Sequence, residues 1–267
     1  MAFIRSNKKG SGGGGGTTIL KGTTVPTSSL GDNGQIYLQH LSIPSSVDLR
    51  ESITNSAQGA YFNSGYKYKE NSRIEIKFNL NSGSTYPTSF GCREDTSGRN
   101  PNQIFFAISG QRVYYSFGNA EVATEDVFSS NTDVTVYAEK SGLKMYVGNA
   151  LKYLSTNAFS QAGTYDMYLF VANLAGSPWS SSWAIMTLYY CKIYEDDTLI
   201  HYFLPAVDGS NVPCLYDLVT NSYFYNQGSG SFSVGNSISN VNEVISSFAK
   251  VNGSWQQLIG TDISEIS

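Results

Sequence analysis

Hydrophobic and polar residues alternate with a period of two over many short stretches of this chain. From Arg73 to Phe78, the apolar Ile74, Ile76 and Phe78 share one face, and Arg73, Glu75 and Lys77 share the other. That is the pattern of a half-buried strand. The same reading predicts strands over 35–39, 89–93, 103–109, 112–117, 134–140, 143–147 and 165–172. It also predicts four short strands divided by tight turns over 186–232. Asn63-Ser64-Gly65 and Glu70-Asn71 supply turns, and Ser141-Gly142, two residues between two runs, is a hairpin signal. Residues 41–53 have weak helical periodicity and read as a connector. No long helical pattern interrupts the strands, so the predicted fold is all-β, a sandwich or barrel.

The two ends of the chain carry further signals. Ile19 and Leu20 could start a short strand, and Ile36 and Leu38 face opposite to Tyr37. Pro26 and the polar cluster of 28–34 make a turn. Near the C-terminus, Phe248, Lys250 and Asn252 alternate with Ala249 and Val251. Asn252-Gly253 is a type I′ turn signal, after which Trp255, Leu258 and Ile259 return. A two-stranded ribbon is marginal alone. It needs Ile36 and Leu38, a neighbouring chain, or both. Residues 1–16 end in Ser11 and five glycines, a flexible arm that cannot join a core.

Composition supports the all-β reading. Among 267 residues there are 19 Tyr and 14 Phe, types that suit a pleated, half-buried surface. Charged residues make up only 14%, against roughly 25% in typical globular chains. No apolar run reaches the ~18 residues of a membrane span. The N-terminus lacks the apolar core of a signal peptide, which fits either release by lysis or residence in the cytosol. Cys92, Cys191 and Cys214 are widely spaced and odd in number, which predicts small buried hydrophobes rather than a disulfide framework or a zinc site. The net charge of −4 is uneven: Arg5, Lys8, Lys9 and Lys21 give residues 1–31 a charge of +4, with no acid. Such an arm could dock on an acidic surface or simply be solvated. Four charges without interleaved aromatics make a poor nucleic-acid footprint.

Catalytic motifs are missing. The two histidines are His40 and His201, and His201 reads as a strand-face residue opposite to Ile200 and Tyr202. No GxSxG, HExxH or phosphate-loop pattern occurs. The acids Glu94-Asp95, Glu125-Asp126 and Glu195-Asp196-Asp197 are adjacent in turns. Neighbours on a strand point to opposite faces, which suits glycoside hydrolysis poorly. No cofactor is expected. Calcium could bind loop acids at Asp95, Asp196, Asp197 and Asp208, though no DxDxDG pattern accompanies them. Carbohydrate binding fits best at 177–183, where Trp179 and Trp183 stand in a serine-rich loop with Asn173 nearby. An exposed indole packs on a sugar's apolar face while hydroxyls meet its polar edge. The alternative is that Trp183 starts a core strand and Trp179 pins the loop. The loop 94–102 is the second candidate, with Arg93 and Arg99 as donors. Tyr86 and Tyr61 are weaker ones.

Three stretches carry a resemblance. QGAYFNSGYKYKENSRIEIKFNL at 58–80, FGCR at 90–93, and CKIYEDDTLIHYFLPA followed by LYDLVTNSYFYNQGSGSF resemble a concanavalin-like, laminin-G-type jelly-roll module. The resemblance implies two antiparallel sheets. Outside it, SLGDNGQIYLQ at 29–39 and FAKVNGSWQQLIGTDISEI at 248–266 resemble paired motifs of phage fibre and tail-associated proteins, with Gln35 where those have an acid. The expected organisation is therefore an arm over 1–16, a β module split between 17–48 and 235–267, and a jelly roll inserted at 49–234. Long insertions cost little closure entropy, ~0.6 kcal/mol per doubling of length.

The resemblance implies a virion-surface protein, a head fibre or capsid decoration. Its arm (Arg5, Lys8, Lys9, Lys21) and split module would anchor to other virion proteins, and its jelly roll would bind host or mucosal glycans. A homo-oligomer, with a trimer the form expected from family type, goes with that reading. A tail fibre or baseplate receptor-binding protein is one alternative, a purely structural capsid contact another, and a glycan hydrolase a third.

Overall fold

The computed structural model describes residues 19–22, 26–40, 43–96, 104–109, 112–117, 122–123, 131–139, 142–147, 150–155, 163–196, 198–238 and 244–257. All regular structure among them is β. The chain divides into two compact units, Ile43–Val241 and the pair Met1–Ser42 with Asn242–Ser267.

The larger unit is built on two 12-residue strands, Ser72–Gly83 and Ala184–Glu195, paired antiparallel with Ile76 opposite Cys191 and Glu75 opposite Lys192. Alternation holds as the sequence predicts: Ile74, Ile76, Phe78 and Leu80 are each at most 5% exposed. Each such side chain contributes ~1.5–3 kcal/mol on burial. The sheet spreads from this pair. On one side lie Asp133–Glu139, Gly142–Val147 and Ala150–Ser155; on the other lie Thr198–Val207, Pro213–Asp217 and Ser222–Tyr225. The second sheet runs in the order Val122–Ala123, Arg112–Phe117, Ile104–Ser109, Thr88–Arg93, Tyr168–Leu169, Phe62–Asn63. The inner faces meet in one core. Phe78 of the first sheet approaches Phe106 of the second, with ring centroids 6.0 Å apart. Phe232 stacks on Phe62 at 4.5 Å and meets the edge of Phe170 at 4.8 Å. The unit is a two-sheet β-sandwich, the jelly-roll class expected.

Some details differ from the expectation. The stretch 165–172 is not one strand. It forms Tyr168–Leu169, then breaks at Phe170 (φ 74°), and resumes as Asn173–Leu174. Phe170 donates its N–H to the Ser89 carbonyl, while its own carbonyl accepts from Ala184 N. These bonds hold a bulky residue in a backbone region it would otherwise avoid. Asn173–Leu174 also runs parallel to Cys92–Arg93, so the sheet is not purely antiparallel. The supposed connector, 41–53, holds one short strand, Asp48–Leu49, and the first residue of another, Ile53–Asn55, because Leu49 and Ile53 fill core positions. The first two strands of 186–232 are long, not short, at 12 and 10 residues.

The smaller unit is a four-stranded sheet. Ile36–His40 pairs antiparallel with Val244–Val251, which turns back into Ser254–Gln257; Ile19–Gly22 adds in parallel on the other edge. Asn252 (φ 51°) and Gly253 (φ 80°) make the turn, both left-handed as a type I′ hairpin demands. Lys250 is 6% exposed, and its ammonium donates to the carbonyls of Ser28, Leu30 and Gly31, each at 2.7 Å. Both chain ends are therefore joined by strand pairing and by one buried lysine.

Candidate functional site

The serine-rich loop is fastened to the outer face of the second sheet. It leaves Asn173–Leu174 through a two-residue turn, Ala175 (φ 50°) and Gly176 (φ 94°), and returns as Ser177–Pro178. Asn173 braces that turn: its Oδ1 accepts from Gly176 N at 2.8 Å, and its Nδ2 donates to the Asp166 carbonyl at 2.9 Å. Trp179 N then donates to Ala172 O, and Ser182 N to Trp179 O, both at 2.9 Å. The buried Ser182 hydroxyl accepts from Ala172 N and donates to Trp179 O. Backbone N–H groups of Ser84, Tyr86 and Thr88 donate to the carbonyls of Trp183, Ser181 and Ser182. A loop with this many backbone bonds is pre-organised, so little ordering entropy is lost when it binds something.

Two aromatic groups result. In the first, Trp179 lies nearly parallel to Tyr86, 15° between planes and 5.9 Å between centroids, and Tyr86 meets Tyr114 edge-on at 5.4 Å. The Arg93 guanidinium sits 4.7 Å from the Trp179 ring centre. Arg93 is only 2% exposed, and a cation–π contact in such a desolvated place is worth about 2 kcal/mol. It holds the indole in position. In the second group, Trp183 meets Tyr61 at 6.1 Å and Tyr61 meets Tyr168 at 4.8 Å. Tyr168 donates its hydroxyl to Gly176 O, and burial, then the neighbouring Tyr61 and Asp166, push its phenol above the ordinary value. Trp179, Trp183, Tyr61, Tyr86 and Tyr114 are all partly exposed, and Ser177 and Ser180, on either side of Trp179 in the chain, are exposed.

The structure thus brings together Trp179, Arg93 and Tyr86, and sets Asn173 beside them as a brace with both amide groups engaged. Trp183 belongs to the neighbouring group with Tyr61. Arg99, Arg5, Lys8 and Lys9 lie outside the described residues, while Lys21 is exposed opposite Leu38. Tyr114 and Tyr168 were not singled out from the sequence. Alternation between the buried Val113 and Tyr115 was the signal for Tyr114.

The acids have other engagements. Glu94 accepts from the Thr164 hydroxyl, and Glu195 pairs with Lys69 at 2.7 Å. Asp208 accepts from Ser210 N, Val212 N and the Tyr225 hydroxyl. These backbone bonds lead the causes that hold its carboxyl below the usual range. Asp196 occupies a turn at φ 46°, while Asp197, Glu125 and Asp126 fall outside the described residues. Among the described residues, no group of three or more His, Cys, Asp or Glu is placed to hold a metal. The three cysteines are buried and unbonded to one another.

No family model matches the chain, and no curated protein matches it. Among solved structures, it is similar to a candidate carbohydrate-binding protein from Bacteroides ovatus ATCC 8483, with a TM-score of 0.47, 11% identity, and 78% of this chain and 72% of that one covered. It is also similar to the CBM40 module of Ruminococcus gnavus IT-sialidase, solved with α2,3-sialyllactose (TM-score 0.38, 11% identity, 55% of this chain and 90% of that one). A third is the LG4–5 pair of the mouse laminin α1 chain (TM-score 0.37, 6% identity, 80% of this chain and 84% of that one).

Proposed function

We propose that this protein is a bacteriophage virion surface protein, a head fibre or capsid decoration, whose sandwich domain binds host-surface or mucosal glycans. The glycan reading is carried by one observation. Trp179 is partly exposed on a loop stapled by backbone bonds, with Arg93 and Tyr86 fixing its ring and serine hydroxyls beside it. A rigid aromatic surface edged by hydroxyl groups suits a sugar, whose ring has an apolar face and a polar rim. The virion reading is supported by the motifs at 29–39 and 248–266, which contribute paired strands to the smaller unit. That unit and the basic N-terminal arm would be the mount, in an oligomer.

A purely structural reading has its own support. Arg93 is buried and the Asn173 amide is used within its turn, so the loop could serve only to cover the sheet. A glycan array probed with the full chain and with Trp179→Ala separates the two. The glycan reading predicts binding that falls about tenfold or more in the variant while thermal unfolding stays cooperative. No array signal for either protein would favour the structural role, and equal signals for both would place sugar binding away from Trp179. Cryo-electron microscopy of the particle tests the mount: density at the tail tip instead of the capsid would replace the head-fibre assignment.

A further inference from the structure

The two aromatic groups form one row. Phe90 and Cys92 point into the core, so Gly91 and Arg93 lie on the outer face of the second sheet. Tyr168 is paired with Gly91 and shares that face, and Tyr114 reaches it between the buried Val113 and Tyr115. Both the Trp179 group, through Arg93 and Tyr114, and the Trp183 group, through Tyr168, therefore rest on one surface. The row starts on the strand Arg112–Phe117 and ends beside Phe62–Asn63, which Tyr61 immediately precedes. Those strands are four positions apart in the sheet. At ~4.8 Å between strands, the row is about 19 Å long.

From this geometry we infer that the site takes the chain of an oligo- or polysaccharide, several sugar rings long, laid across the strands, and not a single terminal sugar. The inference rests on the glycan reading above. Trp179 with Tyr86 forms one stacking position, Trp183 with Tyr61 a second, and the exposed Ser180 follows Trp179 in the segment that joins the two indoles. Two platforms on one rigid loop make the second stacking event intramolecular once the first has formed, which multiplies affinity without any new element.

The test is a printed array of homo-oligomers of glucose, mannose, galactose, N-acetylglucosamine and galacturonic acid, each from one to six units, with sialyllactose alongside, followed by calorimetry on the series that binds. Affinity is expected to rise about tenfold between one unit and three or four, then level off. Tyr61→Ala, which removes one side of the Trp183 platform, is expected to abolish that rise, so that three or four units bind no more tightly than one. Trp183→Phe gives a second variant that keeps the packing beside Ala184. A monosaccharide or sialyllactose that binds as tightly as the longer oligomers would overturn the extended-chain inference and leave the glycan reading standing. A length dependence unchanged in both variants would do the same. Silence on every series would count against both.

Discussion

His201 Nδ1 and Asp217 Oδ2 lie 2.7 Å apart, on strands paired so that Asp217 stands opposite Phe203. The Asp217 side chain is fully buried and that of His201 is 19% exposed. The carboxylate also accepts from Tyr202 N at 2.8 Å, Val219 N at 3.1 Å and the Thr220 hydroxyl at 2.7 Å. His201 stacks on Phe203, 5.2 Å between centroids. This is a carboxylate used to tie a strand to the turn that follows it.

Burial alone would raise the Asp217 pKa, but the hydrogen bonds from His201, Tyr202, Thr220 and Val219 together bring it below the ordinary carboxylate value. A depressed pKa means that stability from this group is complete above the unfolded value, ~3.9, and is lost as pH falls through the folded value. Urea unfolding followed from pH 7 to pH 2 should therefore show acid destabilisation that is weaker in Asp217→Asn. At pH 7 the variant should lose about 2–3 kcal/mol, since an amide nitrogen would replace an acceptor facing two donors. A loss under ~0.5 kcal/mol, with an unchanged acid slope, would contradict the assignment.

Lys250 should matter in a different place. Lys250→Met would leave the carbonyls of Ser28, Leu30 and Gly31 without their shared donor, at a cost of about 2 kcal/mol or more. Hydrogen exchange should report it as faster exchange at Val244–Val251, which carries the lysine, and at Ile36–His40, the paired strand that follows the clasped turn. Protection equal to the parent chain would show that the clasp contributes nothing.

The thiols should be inert. Burial, first among the causes, pushes Cys92 and Cys214 up to about 12, and Cys191 is raised too. Thiolate is the reactive form, so a disulfide reagent at pH 8 should titrate none of these cysteines in the folded chain and all of them in guanidinium. Rapid reaction of the folded chain would show that these sites open readily.

Much of this fold could be read from local pattern, and the site much less. Ile74, Ile76 and Phe78 announced their strand because alternation is a property of neighbouring residues. Asn252-Gly253 announced its hairpin because both residues accept left-handed backbone at little cost. The hairpin that carries Trp179 turns on Ala175 at φ 50°, a residue with no such preference, and is held instead by the Asn173 side chain. The local hints, Gly176 and an asparagine three residues before it, mark a turn but not what the loop packs on. Arg93 likewise reads as an outward-facing strand residue, which it is. Its burial comes from a loop some 80 positions later in the chain folding over it, and pairings at that separation are invisible to periodicity. The indoles were found as residue types. Their arrangement into a row needed the sheet.

The most direct test of the account follows the indole N–H signals of Trp179, Trp183 and Trp255 by ¹H–¹⁵N NMR, in the full chain, while the best-binding oligosaccharide from the array is added. The account predicts that the Trp179 and Trp183 signals shift together along one saturation curve and that the Trp255 signal stays in place. Saturable binding that leaves both Trp179 and Trp183 unmoved would contradict it.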